Sequence, residues 1–539
     1  MRAWPASGAG GALRRERHYD DREFLCFSDR WPDLNAMLDE LVSRHTAGEA
    51  VVGDDGRRLT YAELDRLAAS AAGNLRRRGV TPGDRVALLL GNCPEFPIFL
   101  LACFRLGAIA VPLGVRQRGP ELEYLLGDCG AVALIFEAEF AANLPLPGLL
   151  PELRLRFVVG GDGAGAEPAA PLLEPAASPP RPERAEEATA VILYTSGTTG
   201  RPKGAMLTHL GMVHSLLHLQ RCLGLRSAPR SILAVPASHV TGLVAVLLAT
   251  LSMGGAVTLM RAFKAREFLA LAEQERVTFT VLVPAQYILC LMEPDFDRFD
   301  LRHWEVGAFG GAPMPEATIR ALAERLPRLT LVNAYGATET TSPTTIMPPG
   351  ENTAHTDSVG LVVPCGEVRV VDADGNSVAA GETGELWIGG PMVVPGYWRK
   401  PEASAQSFTE GFWRSGDIGA VDAAGFVRVL DRVKDMINRG GYKVFSAEVE
   451  NVLSAHPGVV ECAVVARPDP VLGERVQAFV VPRAQGLTVE ELHDFCAARM
   501  ADYKVPEFVE LVTEPLPRNA NGKVQKAALR ERAKGSRTG

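Results

Sequence analysis

The sequence predicts an α/β protein: a large N-terminal domain of two α/β units with mostly parallel sheets plus a small β-rich module, then a small α+β C-terminal domain. Three observations carry this expectation. Apolar runs of strand length alternate with helical patterns over residues 60–136 and again over 231–283, as in a parallel sheet covered on both faces. Beyond Val368 come short strands separated by turns, at 368–372, 385–388 and 426–430. The stretch 431–441 is charged, lacks apolar periodicity and ends in Gly440-Gly441, as a boundary or hinge does, leaving about a hundred residues for a last domain. At 539 residues the chain is too long for a single core.

Taken in order, residues 1–33 read as a leader, expected to be partly disordered; 1–17 are Gly/Ala-rich and then Arg-rich, without the apolar stretch of a signal peptide or anchor. The N-terminal domain is placed at 34–430, with helices at 34–41 and 60–78, the second started by Thr60 with Glu63 at the capping-box position. A strand at 86–90, a helix at 94–106, a strand at 108–112, a helix at 122–128 and an apolar strand at 131–136 complete the first unit. Residues 160–166 mimic a dinucleotide fingerprint, but Pro- and Ala-rich sequence follows instead of a helix, so 161–187 is expected to be a surface linker. The second unit takes its elements from 232–235, 244–251, 256–260, 263–274 and 278–283. After the hinge at 431–441, the C-terminal domain (442–539) is expected to hold helices at 446–454 and 488–500 and strands at 459–466, 476–481 and 508–512.

Composition narrows the class of partner. Hydrophobic residues make up 47% and charged residues 22%, a soluble globular balance, and a net charge of -8 gives no basis for nucleic-acid binding, so a small-molecule substrate is expected. Nine cysteines without CxxC spacing read as reduced thiols of a cytoplasmic protein. Neither long apolar run makes a membrane span: 243–253 is too short, and 97–113 carries Arg105. His214 and His218 stand i, i+4 without the glutamate of a zinc-protease motif, so a polar helix face is expected there rather than zinc. Oligomeric state is not legible, and a homo-oligomer stays open.

The chemistry concentrates at strand ends. Tyr194-Thr195-Ser196-Gly197-Thr198-Thr199-Gly200-Arg201-Pro202-Lys203-Gly204 follows the apolar strand 190–193, and its hydroxyls, glycines and two cations can serve one polyanion such as a nucleotide triphosphate. It is not a Walker loop. Pro202 stands where the second glycine is required, and Gly204 follows the lysine where a magnesium-binding hydroxyl belongs. The residues after it, 205–208, read as a returning strand, so the loop joins two strands as a mobile flap; the competing reading is an ordinary Gly-rich hairpin. Pro236-Ala237-Ser238-His239 ends the strand 232–235 and opens a helix, a place where ligands collect in open α/β sheets. Gly310-Gly311-Ala312-Pro313 follows the strand 306–309, and Asn333-Ala334-Tyr335-Gly336-Ala337-Thr338-Glu339-Thr340 follows 329–332. These are read as two turns where a planar base lies against backbone under Tyr335, with Glu339 suited to Mg2+. Asp417 has two oxygens for two ribose hydroxyls, with Arg432 one strand later; a salt bridge near a turn is the alternative.

The loop Tyr194 to Gly204 resembles the signature loop of the adenylate-forming superfamily, which includes acyl-CoA synthetases, aryl-CoA ligases, luciferases and peptide-synthetase adenylation domains. Similar motifs recur in family order from Leu34 to Lys523. The resemblance implies an AMP-forming carboxylate–CoA ligase using ATP, Mg2+ and CoA on a small carboxylic acid. It implies that Thr195, Ser196, Gly197, Thr198, Thr199, Gly200 and Lys203 hold the β- and γ-phosphates, and that Gly310, Gly311, Ala312, Asn333, Tyr335, Gly336 and Thr338 form the adenine site. Glu339 with Thr198 is then the metal site, Asp417 and Arg432 the ribose site, and His239 the gate of the acyl pocket. Ser238 replaces the family's usual aromatic there. The resemblance also implies that the C-terminal domain is mobile, turning about Lys434 to bring Gly440, Gly441 and Lys443 to a pantetheine tunnel, and that Lys523 reaches the α-phosphate. Ser238, Thr241, Phe309, Ala334, Thr341 and Ser342 are expected to line an acyl pocket fitting a medium-chain, branched or aryl acid. Two rivals remain: an adenylating enzyme that loads a carrier protein or stops at acyl-AMP, and a non-catalytic acyl-nucleotide-binding homologue.

Overall fold

A computed structural model describes Trp4 and residues 11–19, 22–146, 148–163, 165–180, 186–195, 201–225, 228–484, 486–518 and 524–535. The first α/β unit forms a seven-stranded sheet in the order Lys203–Thr208, Thr189–Thr195, Ile109–Pro112, Arg85–Leu89, Ala131–Glu137, Leu155–Val159, Glu167–Pro168. It is parallel except where Thr189–Thr195 and Lys203–Thr208 form a hairpin. Helix Tyr61–Arg77 starts as its sequence requires: Thr60 accepts from Glu63 N while Glu63 answers to the Thr60 backbone. It packs on helix Glu95–Leu106, which is apolar nearly all round and buried to match. Each fully enclosed Phe or Leu in this core contributes roughly 1.5–3 kcal/mol over an exposed one.

The second sheet joins the parallel unit to the expected β-rich region. Its parallel strands Glu49–Val52, Ala256–Leu259, Arg230–Leu233, Phe279–Leu282, Val306–Phe309 and Thr330–Ala337 run without a break into the antiparallel strands Ser342–Ile346, Gly360–Val362, Phe426–Arg432, Phe412–Val421, Gly384–Gly389 and Glu367–Val371. The β-rich region is joined to the parallel unit through one shared strand. Thr330–Ala337 is long enough to pair with Val306–Phe309 along its first half and with Ser342–Ile346 along its second. In the segment Thr241–Leu248, a helix expected from its apolar run, the turns are wide: the N–H of Ala249 reaches the carbonyl of Val244, the i→i+5 bond of a π-helix.

Two other expectations give way. Of the leader, Leu13–His18 and Arg22–Phe27 form an antiparallel hairpin whose Cys26 and Phe27 are fully buried. Arg30 fastens it, donating to both oxygens of Glu16 at 2.7 Å and to Glu186 at 2.6 Å. Within the expected linker, Glu167–Pro168 pairs with Leu155–Val159, Leu172 is fully buried, and Asn74 Nδ2 donates to the carbonyls of Leu172 and Glu174 at 2.9 Å. Pro/Ala-rich composition concealed this because two apolar side chains, Ala169 and Leu172, suffice to dock the turn.

The C-terminal region has its own five-stranded sheet, with Gly473–Pro482 between Val459–Asp469, Ile437–Arg439 and Phe508–Leu511. Alternate residues serve opposite faces. Val464, Ala478 and Val480 pack with helices Ser446–Ser454 and Val489–Ala497. Ala463, Val465 and Phe479 meet Leu529 and Ala533 of a further helix, Lys526–Gly535, which sequence reading missed because its apolar stripe is only two residues wide. All nine cysteines are free thiols, eight of them buried, and no helix among the described residues is long and apolar enough to cross a membrane.

Candidate active site

The hairpin is where the sequence placed it. Tyr194 pairs with Gly204 and Thr195 with Lys203, and a Cβ on Gly204 would stand 2.6 Å from Ile192 Cγ2, so glycine permits this close pairing. Residues Ser196, Gly197, Thr198, Thr199 and Gly200 lie outside the described residues. The returning strand is held from its other side by the segment around Tyr397: Met206 N–H donates to Gly396 O at 3.2 Å and Trp398 N–H to Gly204 O at 2.7 Å.

That segment carries a residue that sequence reasoning missed. Tyr397 donates its hydroxyl to Glu339 Oε1 at 2.9 Å, Thr195 donates to the same oxygen at 3.3 Å, and Lys203 Nζ stands 4.6 Å from the centre of the Tyr397 ring. One aromatic thus gathers the loop lysine and the predicted metal-binding carboxylate. Burial and the neighbouring Glu339 push its hydroxyl above the usual phenol range, so it stays a donor. The only sequence signal was a Pro395-Gly396 turn ahead of an aromatic pair.

Glu339 itself is positioned by backbone. The expected turn at Asn333–Thr340 is corrected: Asn333, Ala334, Tyr335, Gly336 and Ala337 lie within the strand Thr330–Ala337, and the chain turns only afterwards. Thr341 and Ser342 there hold φ of +52° and +88°, a conformation costly for side-chain-bearing residues. The turn is held by Thr340 Oγ1 donating to Ser342 O at 2.8 Å, Thr341 Oγ1 to Met392 O at 2.7 Å and Val394 N–H to Glu339 O at 2.9 Å. Gly310 and Gly311 do form a turn after Val306–Phe309, with Ala312 exposed beside them. A Cβ on Gly310 would meet Ala334 O at 2.3 Å, so the two expected base-binding segments lie backbone to backbone. Thr338 follows, half-buried, one residue before Glu339.

Four residues before Glu339, Tyr335 faces Asp417 and Arg432, the pair expected to take the ribose. Its hydroxyl donates to Asp417 Oδ2 at 2.6 Å, while Arg432 Nε holds Oδ1 at 2.9 Å across the strand pair that sets Asp417 opposite Arg432. Asp417 N–H is donated to Ser415 Oγ at 3.0 Å. Both carboxylate oxygens already have protein partners here, yet a carboxylate has about four lone-pair sites, which leaves capacity for hydroxyl donors. Burial, then Asp417, push the Tyr335 hydroxyl well above its usual range.

The remaining expectations separate. His239 is half-buried, its N–H bonded to Pro236 O at 3.1 Å and its carbonyl accepting from Leu243 N–H at the start of the π-helix. Of the expected acyl-pocket residues, Phe309 and Thr341 are enclosed in the core, whereas Ser238 and Thr241 stay partly accessible. Gly440 and Gly441, both at positive φ, make the two-residue turn between Ile437–Arg439 and Tyr442–Val444, as a tight hairpin demands. Gly441 and Lys443 are exposed, as is Lys434, and Tyr442 stacks on Tyr503 at 4.7 Å. Lys523 lies outside the described residues; flanking it, Arg518 pairs with Val524 and Gln525 N–H donates to Pro517 O at 2.7 Å. His214 and His218 do not form a polar face: both are fully buried, with Phe27 stacked on His214 at 5.8 Å and its N–H donated to His214 Nε2 at 3.3 Å.

Comparison with known proteins accords with this geometry. The AMP-binding enzyme family matches residues 38–398, and the AMP-binding enzyme C-terminal domain matches 448–523. A feruloyl-CoA synthase of an Amycolatopsis species is 38% identical over 506 residues, covering 93% of this chain and 98% of that protein. A long-chain fatty acid–CoA ligase of Mycobacterium tuberculosis is 34% identical over 478 residues, covering 88% and 93%. The crystal structure of the anthranilate CoA ligase AuaEII in complex with anthranoyl-AMP superposes with a TM-score of 0.87 at 28% identity, covering 94% of this chain and 98% of that one. With two clusters joined by one strand and both family regions matched in order, this chain belongs to the AMP-binding enzyme family, in its adenylate-forming acyl-CoA synthetase branch.

Proposed function

We infer that the protein is an ATP-dependent carboxylate–CoA ligase acting on a small carboxylic acid. The observation that carries this reading is the pair of clusters four residues apart, one at the end of the strand Thr330–Ala337 and one in the turn after it: Asp417–Tyr335–Arg432 for the ribose, and Glu339–Tyr397–Lys203–Thr195 for the phosphates. Their separation along Tyr335 to Glu339 suits a nucleotide laid with its base over Gly310, Gly311 and Ala312, beside Asn333, Gly336 and Thr338.

In the first step a carboxylate oxygen of the acid attacks the α-phosphorus, and the bond to pyrophosphate breaks. Lys203 and the hydroxyls of the loop 195–200 take up charge on the leaving pyrophosphate, and Lys523 takes it up on the attacked phosphate. Glu339 and Thr198, with Thr195 at hand, would hold Mg2+; an all-oxygen donor set suits this hard cation, which when bound supplies further neutralisation of the triphosphate. In the second step the CoA sulfur attacks the acyl carbonyl of the mixed anhydride and AMP leaves. A turn of the small domain about Lys434, carrying Gly440, Gly441 and Lys443 toward the site, separates the steps and keeps water from the anhydride. His239 gates the acyl side. The hinge at 431–441 divides the two moving parts, and the free thiols suit a cytoplasmic setting.

Pyrophosphate release from ATP, measured with the purified chain over a panel of medium-chain, branched and aryl acids, tests this reading and identifies the acid. Acid-dependent release followed by CoA thioester formation is expected. Exchange without a CoA product, but with loading of a pantetheinylated carrier, would move the protein to the carrier-loading class, and no release with any acid would favour a non-catalytic binding protein.

A further inference from the structure

Helix Lys526–Gly535 begins three residues after Lys523 and brings a cation back to the hinge. Lys526 Nζ donates to Ser446 Oγ at 2.7 Å and pairs with Glu450 Oε1 at 2.6 Å. Ser446 in turn gives its backbone N–H, at 2.5 Å, and its hydroxyl, at 2.7 Å, to Asp431 Oδ2. Asp431 lies on the large-domain side of Lys434, on the strand paired with Phe412–Val421, and its neighbour Arg432 holds Asp417. Ser446, Glu450 and Lys526 lie on the small-domain side. One turn along the same helix, Arg530 pairs with Asp435 at 2.5 Å, just past Lys434.

We propose that Ser446 and Lys526 are positioning residues which, with Asp431, latch the small domain across the hinge in the arrangement for adenylation, and that this latch opens before the CoA step. The proposal rests on the two-step reading above. The closed latch coexists here with Gly441, Tyr442 and Lys443 exposed, so it belongs to the state in which the expected pantetheine-lining turn is away from the site. Lys526 pairs directly with Glu450 and reaches Asp431 through the Ser446 hydroxyl, and desolvation raises both Asp431 and Glu450 above the usual carboxylate range. Such a network adds little net stability but discriminates between arrangements, because opening it strips Asp431 of donors that only the small domain supplies. It also links the Asp417–Arg432 pair to the start of helix Lys526–Gly535 through Asp431 and Ser446.

The test measures both half-reactions in the full-length chain: acid-dependent pyrophosphate exchange, and thioester formation from supplied acyl-AMP and CoA. Ser446→Ala and Lys526→Gln should each lower exchange about tenfold, the worth of one hydrogen bond to a charged group, and leave thioester formation equal or faster. Lys526→Arg, which keeps the charge and donors, should restore most of the exchange. Equal loss in both half-reactions, or no loss in either, overturns the latch. If the unsubstituted chain shows no exchange with any acid, the functional reading fails instead. The latch is then judged by hydrogen exchange of peptides spanning 431–446, which should quicken in both variants; unchanged exchange overturns it.

Discussion

Tyr397 shows how a single side chain can organise a site without belonging to any recognised motif. Its ring lies 4.6 Å from Lys203 Nζ and its hydroxyl donates to Glu339, so one side chain contacts both the cation and the anion. Tyr397→Phe keeps the ring and removes only the donor. A hydrogen bond to a charged group is worth about 1.5–3 kcal/mol, so adenylation should fall about ten- to a hundredfold. The magnesium concentration giving half-maximal pyrophosphate release should shift as well, while the thioester step from supplied acyl-AMP holds. An unchanged rate and magnesium dependence would separate Tyr397 from the work of Glu339.

The helix His209–Cys222 and the N-terminal hairpin Leu13–His18/Arg22–Phe27 meet at the Phe27 ring, over which the Arg221 guanidinium also lies at 4.0 Å. Phe27 lies against His214 and, edge-on at 5.4 Å, against His218, and burial holds His214 at about 4 and His218 well below the ordinary imidazole value of 6.5. Because the folded values lie below the unfolded one, the neutral rings contribute fully above about pH 6.5, and that contribution drains as pH falls toward 4. For His214 the loss is of the order of 3 kcal/mol over that window, at about 1.4 kcal/mol per unit. His218→Phe removes one of the two groups. Its Tm relative to the unsubstituted chain should therefore improve steadily as pH is lowered from about 6.5, and parallel Tm curves would refute the assignment.

Among the described residues the molecule holds a two-stranded N-terminal hairpin, two large sheets and a smaller five-stranded C-terminal sheet. The seven-stranded sheet supplies the hairpin 189–208, and the large mixed sheet supplies Tyr335, Asp417 and Arg432 and the turn that carries Glu339. If the steps use different placements of the small domain, Lys523→Ala should abolish adenylation yet spare thioester formation from supplied acyl-AMP. Loss of both to the same degree would count against a two-placement mechanism.

The sequence by itself determined what depends on near neighbours along the chain. Strand and helix periods, the Thr60 capping box, the Gly440-Gly441 turn and the strand–loop–strand character of 194–208 are local, and they stand in the structure, with element ends shifted by up to four residues. The resemblance of the loop and its companion motifs placed the chain in its family. Tertiary structure alone decided which distant strands are neighbours. Nothing local says that Glu49–Val52 pairs with Ala256–Leu259, that the β-rich strands continue the parallel sheet, or that the leader folds onto His214. For the same reason Tyr397, Ser415 and Lys526 were invisible as site residues. Each acts on a partner at least 50 positions away or through its own backbone turn, and strand register, which no spacing within a motif encodes, brings those partners within hydrogen-bond reach.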